Sequence, residues 1–102
     1  MAAIPKPRRI RDPGAIAEAR RDYCEYCGRV SHGGPHHIVT RGAYGPDIVC
    51  NLVQLCYDCH YGKVPSGKLS KQALFELVAR REGMTVEEVE RMVYEARRRE
   101  CE

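Results

Sequence analysis

The chain has 102 residues, a formal charge of +3, 30% charged residues, no Trp and a single Phe. That length admits one domain, and so few large aromatics leave a small core in need of a staple from metal or disulfide. A membrane span is excluded, because no stretch approaches the roughly 20 apolar residues it needs, and so modest a charge does not by itself mark a nucleic-acid binder.

Residues 1–11 read as a flexible basic arm, in which Pro5 and Pro7 forbid a helix and Lys6, Arg8, Arg9 and Arg11 stand without an acid. Such a run is ordinarily a solvated tail; beside a nucleic-acid site it would contact phosphate. Met1 to Pro7 holds no apolar run long enough for a secretory signal. The expectation is a cytoplasmic protein whose thiols stay reduced. Asp12-Pro13 then starts a helix, with Asp as cap and Pro at the first position. It is expected to run through Ala15, Ile16 and Ala19 to about Asp22, with Arg20 and Arg21 complementing its C-terminal dipole.

Tyr23 to Arg29 (Y-C-E-Y-C-G-R) has the form of a zinc knuckle: Cys24 and Cys27 can reach one ion, and Gly28 permits the tight turn after them. A redox C-x-x-C would need a thioredoxin-like strand and helix around it, which the sequence lacks. His32, in the turn-rich Ser31 to Pro35, reads as a surface histidine. His36 to Thr40 is predicted as a short strand and Ile48 to Leu55 as a second, joined by the loop R-G-A-Y-G-P-D into an antiparallel hairpin.

Cys56 to Tyr61 is predicted to open a short helix closed by Gly62 and Pro65, placing Cys56 and Cys59 on one face. These two complete a four-cysteine zinc site with Cys24 and Cys27, and His60 points elsewhere. The competing assignment, three cysteines and one histidine, would leave a cysteine spare. With the thiolates and ion counted, the net charge falls to about +1. Cys50 reads as a core thiol and Cys101 as a free one near the terminus.

Two helices follow. Ser70 caps the first, whose apolar positions are Leu74, Leu77 and Val78, and Gly83 ends it. Thr85 and Glu88 form a capping box for the second, Met84 and Val89 a hydrophobic staple, and Val86, Val89, Met92, Val93 and Ala96 its apolar stripe, with Arg97 to Arg99 in the last turn. The pair reads most simply as a helical hairpin packed on the zinc unit. A DNA-reading helix-turn-helix is the alternative, and Glu87, Glu88, Glu90 and Glu95 argue against it.

His36-His37-Ile38-Val39, then Asn51 in C-N-L-V-Q-L-C, then C-Y-D-C-H resembles the HNH nucleases with a ββα-metal fold and paired C-x-x-C zinc arms. The resemblance covers roughly Tyr23 to Lys63. It implies an α+β chain: a nuclease core over residues 12–66, and a helical hairpin over 67–102 belonging to the same domain. It further implies that His37 is the general base and that His36 and His60 hold a catalytic divalent ion. Asn51 would brace the loop between the strands, and the products would carry a 5′-phosphate and a 3′-hydroxyl. Some members carry a further histidine where this chain has Val64. Imidazole ligands accept Mn²⁺, Ni²⁺, Co²⁺ or Zn²⁺, whereas Mg²⁺ prefers oxygen, so the catalytic ion stays open among these. Small free-standing members are often phage proteins, which implies DNA as partner and an association with terminase and DNA packaging.

The chemistry can also be built from the residues alone. Phosphodiester hydrolysis needs a deprotonated water, charge stabilisation on the phosphate and help for the leaving oxygen. Imidazole is a natural base for the first. Arg41 and Lys63 flank the proposed site as phosphate contacts or as ordinary solvated charges. Tyr44 and Tyr61 would stack on sugar or base, or simply pack. Neighbouring strand residues point to opposite faces, so His36 and His37 sharing a cleft requires His36 to stand at the strand's beginning, after Pro35. The rival function is a zinc-dependent nucleic-acid-binding module without cleavage, and behind it a structural zinc protein whose C-terminal helices bind another protein.

Overall fold

The computed structural model describes residues 11–100, with side chains as far as Arg97. The basic arm up to residue 10, the side chains of Arg98 and Arg99, and Cys101 lie outside the described residues. Helix α1 (Pro13–Ala19) begins as its sequence dictates: the Asp12 carboxylate accepts from the backbone N–H of Gly14 and Ala15, and Pro13 takes the first turn. It ends at Ala19, short of the expected Asp22, because Arg20 turns extended. Arg21, beyond the helix, still answers the helix end, since its guanidinium donates to the carbonyls of Glu18 at 2.6 Å and Arg20 at 3.0 Å.

Strands β1 (His36–His37) and β2 (Leu52–Val53) pair antiparallel, His36 opposite Val53 and His37 opposite Leu52. Both are shorter than predicted. After His37 the chain leaves the ladder for a 3₁₀ turn at Arg41–Ala43, and a second such turn at Val49–Asn51 precedes β2. The predicted helix after Cys56 is a π-helical turn, Asp58–Lys63, carried by a bond from Val64 N–H to the Cys59 carbonyl at 3.0 Å. Gly62 therefore lies inside this turn and does not close it. Single π turns of this kind concentrate at functional positions.

Helices α2 (Lys71–Glu82) and α3 (Val86–Glu100) form the expected hairpin, capped at the predicted residues. Ser70 Oγ accepts from Ala73 N–H, Gly83 ends α2 at φ +67°, and Thr85 Oγ1 accepts from Glu88 N–H. The hairpin lies over β2 and the Val49–Asn51 turn. Leu69, Leu74, Phe75, Val78, Val89 and Val93 bury their side chains with Val53 and Leu55 of the zinc unit. Phe75 and Leu69 join a core that the helical spacing had drawn more narrowly. Met92 is 47% exposed, so its place in the predicted stripe is only partial; its sulfur sits 3.9 Å from the buried Cys50. A smaller cluster of Ala15, Ala19 and Leu52 fastens α1 to the other side.

Arg81 ties the two halves together. Its guanidinium donates to Glu25 Oε1 and Oε2 at 3.0 and 3.1 Å, and to the carbonyls of Leu52 and Val49 at 3.0 and 2.8 Å. Among the described residues no helix is long and apolar enough to cross a membrane.

Candidate metal centre and active site

The first cysteine pair sits in a tight reverse turn. Tyr23 pairs with Val30 across it, Cys24 N–H donates to the Arg29 carbonyl at 2.7 Å, and Gly28 adopts φ +79°, where a side chain would be strained. The turn is keyed to β2 by Glu25 N–H on the Gln54 carbonyl at 2.8 Å and by Gln54 N–H on Glu25 Oε2 at 2.6 Å. The second pair stands at the threshold of the π turn. As a result, the sulfurs of Cys24, Cys27, Cys56 and Cys59 all lie within 4.8 Å of one another, and those of Cys27 and Cys56 are 3.6 Å apart.

Four sulfurs about 2.3 Å from a tetrahedral zinc would lie about 3.8 Å from each other, so this set has the dimensions of a closed zinc site. Its acid–base properties agree. Burial works against ionisation at Cys24, but the backbone N–H groups of Cys27, Cys56 and Tyr26 outweigh it and bring the thiol down to about 7. Burial, and then the neighbouring thiols of Cys56, Cys24 and Cys27, push Cys59 the other way. A buried thiol in such company releases its proton to solvent far more readily when a cation binds the sulfur in its place.

His60 takes no part in this cluster. Its Nε2 lies 3.0 Å from Nδ1 of His36, with ring centroids 4.5 Å apart. The contact joins β1 to the π turn, and it excludes the three-cysteine, one-histidine assignment. Two nitrogens each about 2.1 Å from one ion and at right angles lie about 3.0 Å apart, so the pair suits an open divalent site. Burial, then the nearby His60 and His37 rings, hold His36 down at about 4, and burial lowers His60 as well. In both rings the neutral form, the one that binds a metal, is favoured.

His37 lines the same open cleft of about 230 Å³, together with Pro35, His36, Thr40, Arg41 and His60. A strand of only two residues, begun by Pro35, lets both histidines reach it. His37 Nε2 is 2.6 Å from Oδ1 of Asp47, a buried carboxylate 3% exposed. With Asp47 as acceptor, Nε2 carries the hydrogen, and it is the neutral ring that then has a lone pair on Nδ1. Asp47 also accepts the Asp12 N–H at 3.1 Å and stands 3.7 Å from the Arg41 guanidinium. The sequence reading missed Asp47, which looked like the last polar residue of a loop; its Pro46 neighbour gave no sign of burial.

Asn51 is fully buried in the wall behind. Its Oδ1 accepts from Val39 N–H at 2.8 Å, and its Nδ2 donates to the carbonyls of Val39 and Pro46, both at 3.0 Å. Gly45 passes so close to Val39 that a Cβ there would sit 1.6 Å from the Val39 carbonyl oxygen.

The two flanking cations part company. Arg41, with its side chain 49% exposed, lines the histidine cleft. Lys63 does not; it lines two neighbouring clefts and holds its Nζ 5.1 Å over the Tyr26 ring. Tyr61 is 62% exposed, so packing does not account for it. Tyr44 is half-buried in a left-handed turn conformation. His32 is exposed, as expected.

No family model, curated protein or solved structure matches the chain.

Proposed function

We propose that this chain is a metal-dependent endonuclease of the HNH kind, acting on DNA phosphodiester bonds and built on a ββα-metal unit stapled by structural zinc at Cys24, Cys27, Cys56 and Cys59. The observation that carries the reading is the 3.0 Å approach of His36 Nδ1 to His60 Nε2, in a cleft shared with His37 and separate from the four sulfurs. A binding or purely structural zinc module has no use for that second constellation.

His36 and His60 would hold the catalytic divalent ion, which when bound stabilises negative charge on the scissile phosphate and on the leaving oxygen. His37, its Nε2 hydrogen engaged by Asp47, offers Nδ1 to remove the proton of the attacking water. Asn51 keeps the loop that carries Asp47 closed against β1. Arg41, at the mouth of the cleft, is positioned to meet a phosphate oxygen. Cleavage in this manner leaves a 5′-phosphate and a 3′-hydroxyl, and a phage packaging role with terminase as partner is the setting that the sequence resemblance suggests.

Supercoiled plasmid incubated with the zinc-loaded protein and Mn²⁺, Mg²⁺, Ni²⁺ or Zn²⁺ tests this. Nicking is expected, and His37→Ala should reduce its rate by roughly 100-fold or more. Absence of nicking with every ion, or an unaffected His37→Ala variant, overturns the proposal. Retarded plasmid mobility without nicking would instead favour the non-catalytic binding module.

A further inference from the structure

Four rings run outward in contact from the histidine pair. Centroids are 4.5 Å apart between His36 and His60, 4.4 Å between His60 and Tyr61 at an interplanar angle of 24°, and 4.8 Å between Tyr61 and Tyr57. The outer two are 62% and 76% exposed, in a chain with no Trp and one Phe. The π turn produces this row by carrying His60 and Tyr61 directly after Tyr57, its N-cap. Beside the tyrosines opens a cleft of about 470 Å³, also lined by Asp58, Lys63, Ser66 and Lys68. Asp58 is the one acid on that lining, and Arg29 pairs with it at 3.1 Å. The uncompensated charge of the cleft is thus positive.

Exposed flat rings with cations alongside are complementary to unpaired bases joined by phosphates. In a duplex the base faces are already stacked on one another, and only phosphates would meet this surface. Resting on the nuclease reading above, we infer that Tyr57 and Tyr61 form a stacking platform for single-stranded nucleic acid, with Lys63 and Lys68 on its backbone, so that the strand entering the histidine cleft is unpaired beside the scissile phosphate. The row fixes the direction: bases on the tyrosines place the next phosphate towards His60.

The test uses the full-length, zinc-loaded His37→Ala protein, which keeps the platform but not the proposed base. Binding to labelled oligothymidylate, oligouridylate and a DNA duplex of the same length is followed by fluorescence anisotropy. Single strands are expected to bind at least about 10-fold more tightly than duplex. Tyr57→Ala and Tyr61→Ala should each weaken that binding by about 10-fold, while the Phe replacements change it by less than about 2-fold. Lys68→Ala should lower the salt dependence by about 0.7 in the log–log slope. Zinc content and circular dichroism check that each variant is folded. Equal affinity for duplex, or alanine variants that bind as well as their parent, overturns the inference. Failure to bind either form also overturns it and leaves a protein surface as the tyrosines' partner. Platform binding without plasmid nicking by the parent removes the nuclease reading alone, and nicking without platform binding removes only this inference.

Discussion

The carboxamide of Asn51 presents a C=O and an N–H side by side, as a peptide bond does, and both are spent on the backbone of Val39. One side chain thus stands in for the next rung of the β1–β2 ladder, which explains why β1 stops at His37 although Ile38, Val39 and Thr40 are all strand formers. Gly45 completes the arrangement, since a Cβ at that position would sit 1.6 Å from the Val39 oxygen. Gly45→Ala is expected to destabilise the fold by about 3 kcal/mol through overpacking. Urea denaturation of the zinc-loaded variant measures this; a loss below about 0.5 kcal/mol would mean that the loop can shift freely. At this scale the sequence was informative where chemistry is local. His36, His37, Asn51 and His60 stand out by type and spacing, the resemblance implies that His36 and His60 belong together, and the fold brings them within 3.0 Å. Asp47 was silent, because its significance lies in a contact with a histidine ten residues back across a loop whose course no propensity describes.

Helix ends were legible for the same reason: Asp12, Ser70, Gly83 and Thr85 act on backbone groups within a few residues of themselves. Element interiors were less so. The π turn replaces a predicted α-turn because Cys56 and Cys59 must both address the sulfur cluster while His60 reaches β1, a tertiary demand that overrides local preference. The docking of α2 was likewise hidden, since nothing in the sequence pairs Arg81 with Glu25, 56 residues away. That pair is largely buried, with side chains 14% and 9% exposed, and Arg81 also satisfies the carbonyls of Leu52 in β2 and Val49 in the turn before it. Arg81→Ala should therefore cost about 3 kcal/mol, because Glu25 would lose its cation and those carbonyls the guanidinium donor. Arg81→Lys, lacking the planar fork, should recover only part of it. Equilibrium unfolding of the three proteins checks the order; an Arg81→Ala variant as stable as the parent would reduce the cluster to a surface contact.

For the molecule as a whole, the four-sulfur cluster and the histidine pair are separate features. The four-sulfur site closes a loop from the knuckle to the π turn and sits against Val53 and Leu55, so a metal bound there would hold the same segments as the core. Elemental analysis should find about one tightly held zinc per chain, retained in His36→Ala and His60→Ala, and its chelation should abolish the circular dichroism of the folded state, since zinc binding at such sites supplies roughly 10 kcal/mol. Retained helicity after chelation would show that the helical hairpin suffices. Composition had already indicated the need for such a staple, by its shortage of large aromatics. It could not indicate how Asp12, the cap of α1, is fastened. The backbone N–H of Asp12 rests on Asp47 Oδ2, and the other oxygen of the same carboxylate rests on His37. Asp12 is thereby joined to the carboxylate that also holds His37, so a change that shifts the start of α1 will be felt at that histidine.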